Sequence, residues 1–247
     1  MKKILVFAAA AAAIPSFAQV NFTGATYFQD FNTLSPTGAS NPWSDNSTIL
    51  GWYAGATTYE ADDGSSLVPG MKSYGESTGS NTFDRALGSM IQVPGSLAVG
   101  LRLTNVSGNT LGSLAVDYWG EQWLGSASGT ADTIDFDYSL TATSLVGTYS
   151  PVAALNFTAP DVSTLGALNG NLAANRTQKT ATLTGLNWLN GTDMWLRWTH
   201  NGFQRQGLAI DEVHLTGAPV PEPFTMALAV AGLGLAARRR LARAGAR

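Results

Sequence analysis

The sequence predicts an all-β fold, a single antiparallel β-sandwich of the jelly-roll type flanked by an N-terminal signal helix and a C-terminal hydrophobic helix. Three observations point there. Apolar and polar residues alternate with period two in short segments along the middle of the chain, as in strands with one buried face. Turn chemistry separates those segments, as in Ser107-Gly108-Asn109, Asn190-Gly191 and Asn201-Gly202, where glycine and asparagine supply the left-handed conformations of tight hairpins. Gly, Ser, Thr and Asn are abundant while Lys and Glu are sparse, a balance that favours strands and turns over helices.

In chain order the strands fall at Phe22–Phe28, Thr48–Tyr53, Ala86–Gln92, Leu97–Asn105, Leu114–Trp123, Thr133–Thr141, Thr180–Leu186, Asp193–Thr199 and Gly207–Leu215. Alternation is clearest where Ile134, Phe136 and Tyr138 oppose Asp135 and Asp137, and where Trp195 and Arg197 oppose Met194, Leu196 and Trp198. The stretch Ala159–Arg176 breaks the rhythm and reads as a long loop with a short helix. No fixed-period repeat is visible, which argues against a solenoid or propeller.

The two ends carry targeting chemistry. Met1-Lys2-Lys3, the apolar run Ile4–Ile14 and the small residues Ser16 and Ala18 form a secretory signal peptide over residues 1–18, to be cut by signal peptidase between Ala18 and Gln19. At the other end, Pro221-Glu222-Pro223 lies ahead of an uncharged run from Phe224 to Ala237 and the cluster Arg238-Arg239-Arg240. The prolines stop a strand and leave an extended, accessible backbone. The apolar run would reach about 21 Å as a helix, short of a hydrocarbon core of roughly 30 Å unless arginine stems extend it. The arginines would then hold the C-terminus on the cytoplasmic side of the inner membrane. This order resembles the C-terminal sorting signal of PEP-CTERM proteins of Gram-negative bacteria. The resemblance covers residues 219–247 and implies cleavage near Pro221-Glu222-Pro223 by an exosortase-type enzyme, after which the protein reaches the cell surface or extracellular matrix.

The body, residues 19–218, holds 16 acids against 7 bases, a net charge of −9, because half of the basic residues lie in the ends. That charge repels nucleic acid. With no cysteine the exported domain uses neither disulfides nor thiolate chemistry, and about 200 residues suffice for one core without them. The motifs Tyr27-Phe28-Gln29-Asp30-Phe31-Asn32, Trp119-Gly120-Glu121-Gln122-Trp123, Trp195-Leu196-Arg197-Trp198 and Gly207-Leu208-Ala209-Ile210-Asp211-Glu212-Val213 resemble concanavalin-like jelly-roll modules of secreted bacterial proteins.

Three site readings follow. Trp119, Glu121 and Trp123 share strand parity and, exposed, would form a carbohydrate platform of two indoles and a carboxylate. Asp30 near the first strand and Asp211 in the last, which jelly rolls commonly pair, are a candidate structural calcium site. The competing reading gives Asp211 backbone amides or an arginine such as Arg197. A glycosidase needs two carboxylates about 5–10 Å apart, and only Glu121 is a glutamate set among aromatics in a strand. His200 and His214 have no metal-ligand spacing, and no Gly-x-Ser-x-Gly elbow occurs. The function expected is therefore noncatalytic, a structural or interaction role with exopolysaccharide or neighbouring proteins, with a carbohydrate-binding module as the alternative.

Overall fold

The computed structural model describes residues 19–79 and 82–221. The signal segment ending at Ala18, and the tail with Glu222, Pro223, Arg238, Arg239 and Arg240, lie outside the described residues. Sixteen strands follow in order: β1 (Val20–Phe22), β2 (Tyr27–Gln29), β3 (Asn41–Pro42), β4 (Trp52–Ala54), β5 (Thr58–Asp62), β6 (Gly70–Tyr74), β7 (Ala86–Met90), β8 (Gly95–Asn105), β9 (Leu111–Ser126), β10 (Thr133–Ser139), β11 (Ser150–Pro151), β12 (Phe157–Thr158), β13 (Leu165–Ala167), β14 (Arg176–Trp188), β15 (Asp193–Gly202) and β16 (Gly207–Pro219). A single 3₁₀ turn, Ala153–Leu155, is the only helix among the described residues. None of these is long and apolar enough to cross a membrane.

The strands form two sheets of a jelly-roll-type sandwich. One runs β1-β8-β15-β10-β11, with β4 and β12 on its flanks. The other runs β13-β9-β16-β7-β6-β5-β3, with β14 paired to β9 and β2 to β16. Pairing is antiparallel except for β1 with β8 and β5 with β6, which run parallel. The expected strand Phe22–Phe28 is divided: β1 joins one sheet, the chain crosses over, and β2 joins the other. The expected strand Thr48–Tyr53 is mostly a turn, with β4 beginning at Trp52. No helix forms within 159–176; β13 and a folded loop occupy it.

Alternation sends one face of each sheet inward. Leu114, Val116 and Tyr118 of β9 meet Leu101, Leu103, Phe136, Leu196 and Trp198 of the facing sheet in one continuous core. Trp198 is its hub: Trp52 stacks on it at 5.4 Å between centroids, and Tyr118 and Phe136 meet it edge-on at 5.8 and 5.0 Å. Such ring pairs add about 0.5–1.5 kcal/mol each beyond the area they bury. Trp188 is buried likewise, stacked on Phe22 at 5.5 Å. Most tryptophans are thus structural.

Candidate functional site

The outward face of the nine-stranded sheet is where chemistry collects. Strand parity turns Trp119, Glu121 and Trp123 of β9 away from the core, beside Ala209 and Asp211 of β16 and across from Arg176 and Gln178 of β14. The sheet curls enough for Tyr74 of β6 to stack on Trp123, centroids 5.9 Å apart and nearly coplanar at 4°. With Ala86 and Ala209 these rings make a second, smaller apolar cluster outside the main core.

A loop, residues 168–175, roofs this cluster. Leu168 N–H donates to the Trp123 carbonyl at 2.8 Å, and Gln122 N–H donates to the Asn175 carbonyl at 2.8 Å, pinning the loop at both ends to β9. Asn169 Nδ2 donates to Glu76 Oε1 at 2.8 Å, tying the roof to the chain beyond β6. Two glycines permit the close approach. A Cβ on Gly170 would sit 2.2 Å from Trp123 Nε1, and one on Gly64 only 1.9 Å from the Trp123 carbonyl oxygen.

Under the roof lie two carboxyls with little water. Glu121 has no exposed surface and Asp211 retains 4 %. Glu121 Oε2 accepts from Trp123 Nε1 at 2.9 Å, whereas Oε1 has no hydrogen-bond partner and sees Arg176 only at 4.0 Å. Asp211 Oδ1 accepts from the Glu212 backbone N–H at 2.7 Å. Burial pushes both carboxyls up, Glu121 to about 7 and Asp211, further raised by the Glu121 charge, to about 10. Like charges in a dry site cannot both ionise, so Asp211 holds a proton at neutral pH. The backbone is distorted at the same place. Opposite Trp119 and Asp117 the register slips between Asp211 and His214, and Glu212 sits at φ 47°, a left-handed geometry that costs an ordinary residue on the order of 1 kcal/mol.

The platform expected from Trp119, Glu121 and Trp123 is therefore not one exposed surface, because Trp123 (1 % exposed) and Glu121 are covered by the roof. Trp119 stays half-buried outside it, with the Arg176 guanidinium 4.3 Å from its ring centroid. The rest of that open strip carries Phe28, 48 % exposed and 4.4 Å from the His214 ring, with Asp117 accepting from Gln178 Nε2 at 2.9 Å. Asp30 follows directly on β2, which pairs with β16, the strand that holds Asp211. Yet the Asp30 carboxyl accepts from Asn32 N–H at 3.2 Å, Asp211 is a neutral acid and so a poor calcium ligand, and among the described residues no three of His, Asp and Glu converge to hold a metal. Arg197 pairs with Asp137, on the other sheet, and not with Asp211.

Past the roof, Trp123, Ala167, Leu168 and Asn169 border a cleft of about 300 Å³ whose other wall is Asp63, Glu76, Ser77 and Thr78. A second cleft of about 200 Å³ shares Asp63 and Ser77 and reaches Glu60, Asp62 and Arg85. Lys72, fully buried, pairs with Glu60 and lies 3.6 Å from Asp62. Asp62-Asp63-Gly64 reaches Trp123 only through the fold, with Gly64 packed against the Trp123 carbonyl.

One constellation was not foreseen. Ser89 Oγ lies 2.8 Å from His200 Nδ1, and His200 Nε2 is 4.0 Å from Asp132 Oδ2. All three are buried, and Ser89 and His200 line a cavity of about 10 Å³, room for a single water at most. Asp132 accepts backbone N–H groups of Phe203, Gln204 and Gln206. Burial lowers His200 to about 4 despite the nearby Asp132 charge. The set is a neutral-histidine clasp between sheets, without substrate access. Glu121 and Asp211 are equally closed to a glycoside.

No known family profile matches the sequence, and no curated protein matches it. Among solved structures, a xylan-binding domain of Paenibacillus barcinonensis Xyn10C is 8 % identical, with TM-score 0.39 over 83 % of this chain and 99 % of that one. The mannan-recognising carbohydrate-binding module TmCBM27 is 12 % identical, with TM-score 0.41 over 78 % and 96 %. The K3 cleaved adhesin domain of Lys-gingipain from Porphyromonas gingivalis is 16 % identical, with TM-score 0.35 over 54 % and 74 %. At such identities and scores these likenesses say nothing of residues or ligands.

Proposed function

We propose that the body is a noncatalytic carbohydrate-binding β-sandwich, carried to the cell exterior by the signal peptide and handed to an exosortase-type enzyme by the PEP-CTERM-like tail. The observation that carries the binding reading is the open strip on the nine-stranded sheet. Phe28 and the Trp119–Arg176 pair stand about 12 Å apart by strand spacing and rise, with Asp30, Asp117 and Gln178 among them. Sugars need apolar faces for their C–H surfaces beside amides and carboxylates for their hydroxyls. The buried carboxyls and the closed Ser89–His200–Asp132 set favour binding over hydrolysis.

The purified protein should be retarded in native gels containing a neutral exopolysaccharide. Trp119→Ala and Phe28→Ala should each weaken retention about tenfold while leaving the melting temperature within a few degrees. A protein that no polysaccharide retards, or variants that bind unchanged, would remove this reading.

A further inference from the structure

Strands β5 and β6 bring three reactive side chains to one face. They pair in parallel, Glu60 opposite Lys72 and Asp62 opposite Tyr74, so Lys72 lies beside Glu60 and one diagonal step from Asp62. The return between them runs only from Asp63 to Pro69, shorter than the dozen or so residues that a parallel crossover ordinarily takes. Lys72 and Asp62 are almost dry, their side chains 1 % and 2 % exposed, and Nζ stands 3.6 Å from Asp62 Oδ2. Nζ also donates to Glu60 Oε2 and, at 3.2 Å, to Ser66 Oγ. The two Asp62 oxygens differ. Oδ1 accepts from the Gly64 and Ser66 backbone N–H groups, each at 3.1 Å, whereas Oδ2 accepts no hydrogen bond and faces Lys72. Arg85 sends its donors to Ser73 and to the Asp62 backbone carbonyl, not to this carboxylate. Charges taken out of water lose hydration that their mutual attraction repays only in part, and a reaction that removes both relieves that cost.

We propose that Lys72 and Asp62 condense into a side-chain amide that staples β5 to β6, with Glu60 as the base. The reaction turns an ammonium and a carboxylate into an amide and one water, and needs no oxidant or cofactor. Lys72 Nζ passes one proton to Asp62 Oδ2, and the freed lone pair attacks Asp62 Cγ. The tetrahedral carbon puts its negative charge on Oδ1, where the Gly64 and Ser66 N–H groups already point, the arrangement that stabilises an oxyanion. Glu60 takes a second proton from Nζ and returns it to Oδ2. The Cγ–Oδ2 bond then breaks, and water leaves into the cleft that Glu60, Asp62 and Ser66 line. Glu60, 19 % exposed, accepts from the side chains of Lys72 and Ser66, so it lacks the backbone donors that make Asp62 the acyl centre. In open water hydrolysis would win over condensation. Groups held in contact have effective concentrations that reach about 10⁵ M or more, and the dry site keeps the product amide from water. In a body without cysteine, the amide does the work of a disulfide and resists reductants.

The test is mass spectrometry of the purified full chain, folded, then denatured and cut with trypsin, which cleaves after a free lysine but not after an acylated one. The expected result is no cleavage after Lys72, and a segment holding both residues that is lighter than its sequence by one water. Fragment ions should place the bridge between Asp62 and Lys72. A succinimide at Asp63-Gly64 also loses water but leaves Lys72 cleavable, so the two are told apart. Lys72→Met and Asp62→Ala each remove a partner of the bond and should restore the full segment mass. Glu60→Gln keeps both partners but removes the base, which slows the step by about a hundredfold, and should leave most of the protein unbridged. The reading on the parent protein needs no variant, so a variant that fails to fold leaves the test intact. A parent segment of full mass, ordinary cleavage after Lys72, a bridge that maps to Glu60, or full bridging in Glu60→Gln would overturn the proposal.

Discussion

At the scale of single residues, Asp211 is a carboxyl held against its nature in a nearly dry site. Its folded form is the neutral acid, while in the unfolded chain it ionises near pH 4. Its contribution to stability is therefore fully present below that value and is lost as pH rises toward about 10. Glu121 works in the same sense up to about 7. His200 works in the opposite sense. Lowered to about 4 in the fold, it gives stability that is present above pH 6.5 and lost as pH falls toward 4. Above pH 7 only Asp211 among these three still titrates, so the melting temperature should fall between pH 7 and pH 9. Asp211→Asn copies the neutral acid and can still accept from Glu212 N–H. It should remove that decline, which is on the order of 2–3 kcal/mol between pH 7 and pH 9, one proton over two pH units. Melts across that range check it, and a variant that declines as steeply as the parent would return the proton to another group.

At the scale of elements, the roof loop and β9 make one unit whose fit depends on Gly170. Gly170→Ala puts a methyl 2.2 Å from Trp123 Nε1, with the loop pinned on both sides. The change should cost about 1–3 kcal/mol and shift tryptophan emission to the red as Trp123 meets water; a variant with parental melting and emission would mean that the loop yields freely. This unit shows what could and could not be read from sequence. β8, β9, β10, β14, β15 and β16 were legible because one face is apolar and the other polar over many residues. β5 and β6 were not, since their outward residues Glu60, Asp62 and Lys72 are polar yet covered, so alternation no longer marks burial. The parity of Trp119, Glu121 and Trp123 was legible, but the roof over Glu121 and Trp123 was not. It is built from a loop some fifty residues downstream, whose Asn-rich sequence gives no sign of what it covers. Asp63 and Glu76 were missed for the same reason, because only the curl of the sheet carries them to Trp123.

At the scale of the whole molecule, the long strand β9 separates the chain's exit from the cleft at Trp123. Val220 N–H donates to the Thr110 carbonyl at 3.0 Å, so the chain leaves the sandwich where β9 begins. The cleft lies at Trp123, twelve residues further on, about 40 Å along an extended strand. The acidic surface of the body disfavours approach to anionic lipid. Pro221 is exposed beyond the last strand, so altering it disturbs no packing. Replacing Pro221-Glu222-Pro223 with alanines should leave the melting temperature and glycan retention unchanged. Processing is expected to respond differently. If the tail is a sorting signal, intact-mass measurement of membrane fractions should find the variant retaining its C-terminal arginines while the parent protein has lost them. A variant trimmed as efficiently as the parent would show that the motif is not what the processing enzyme reads, and would leave the tail a simple anchor.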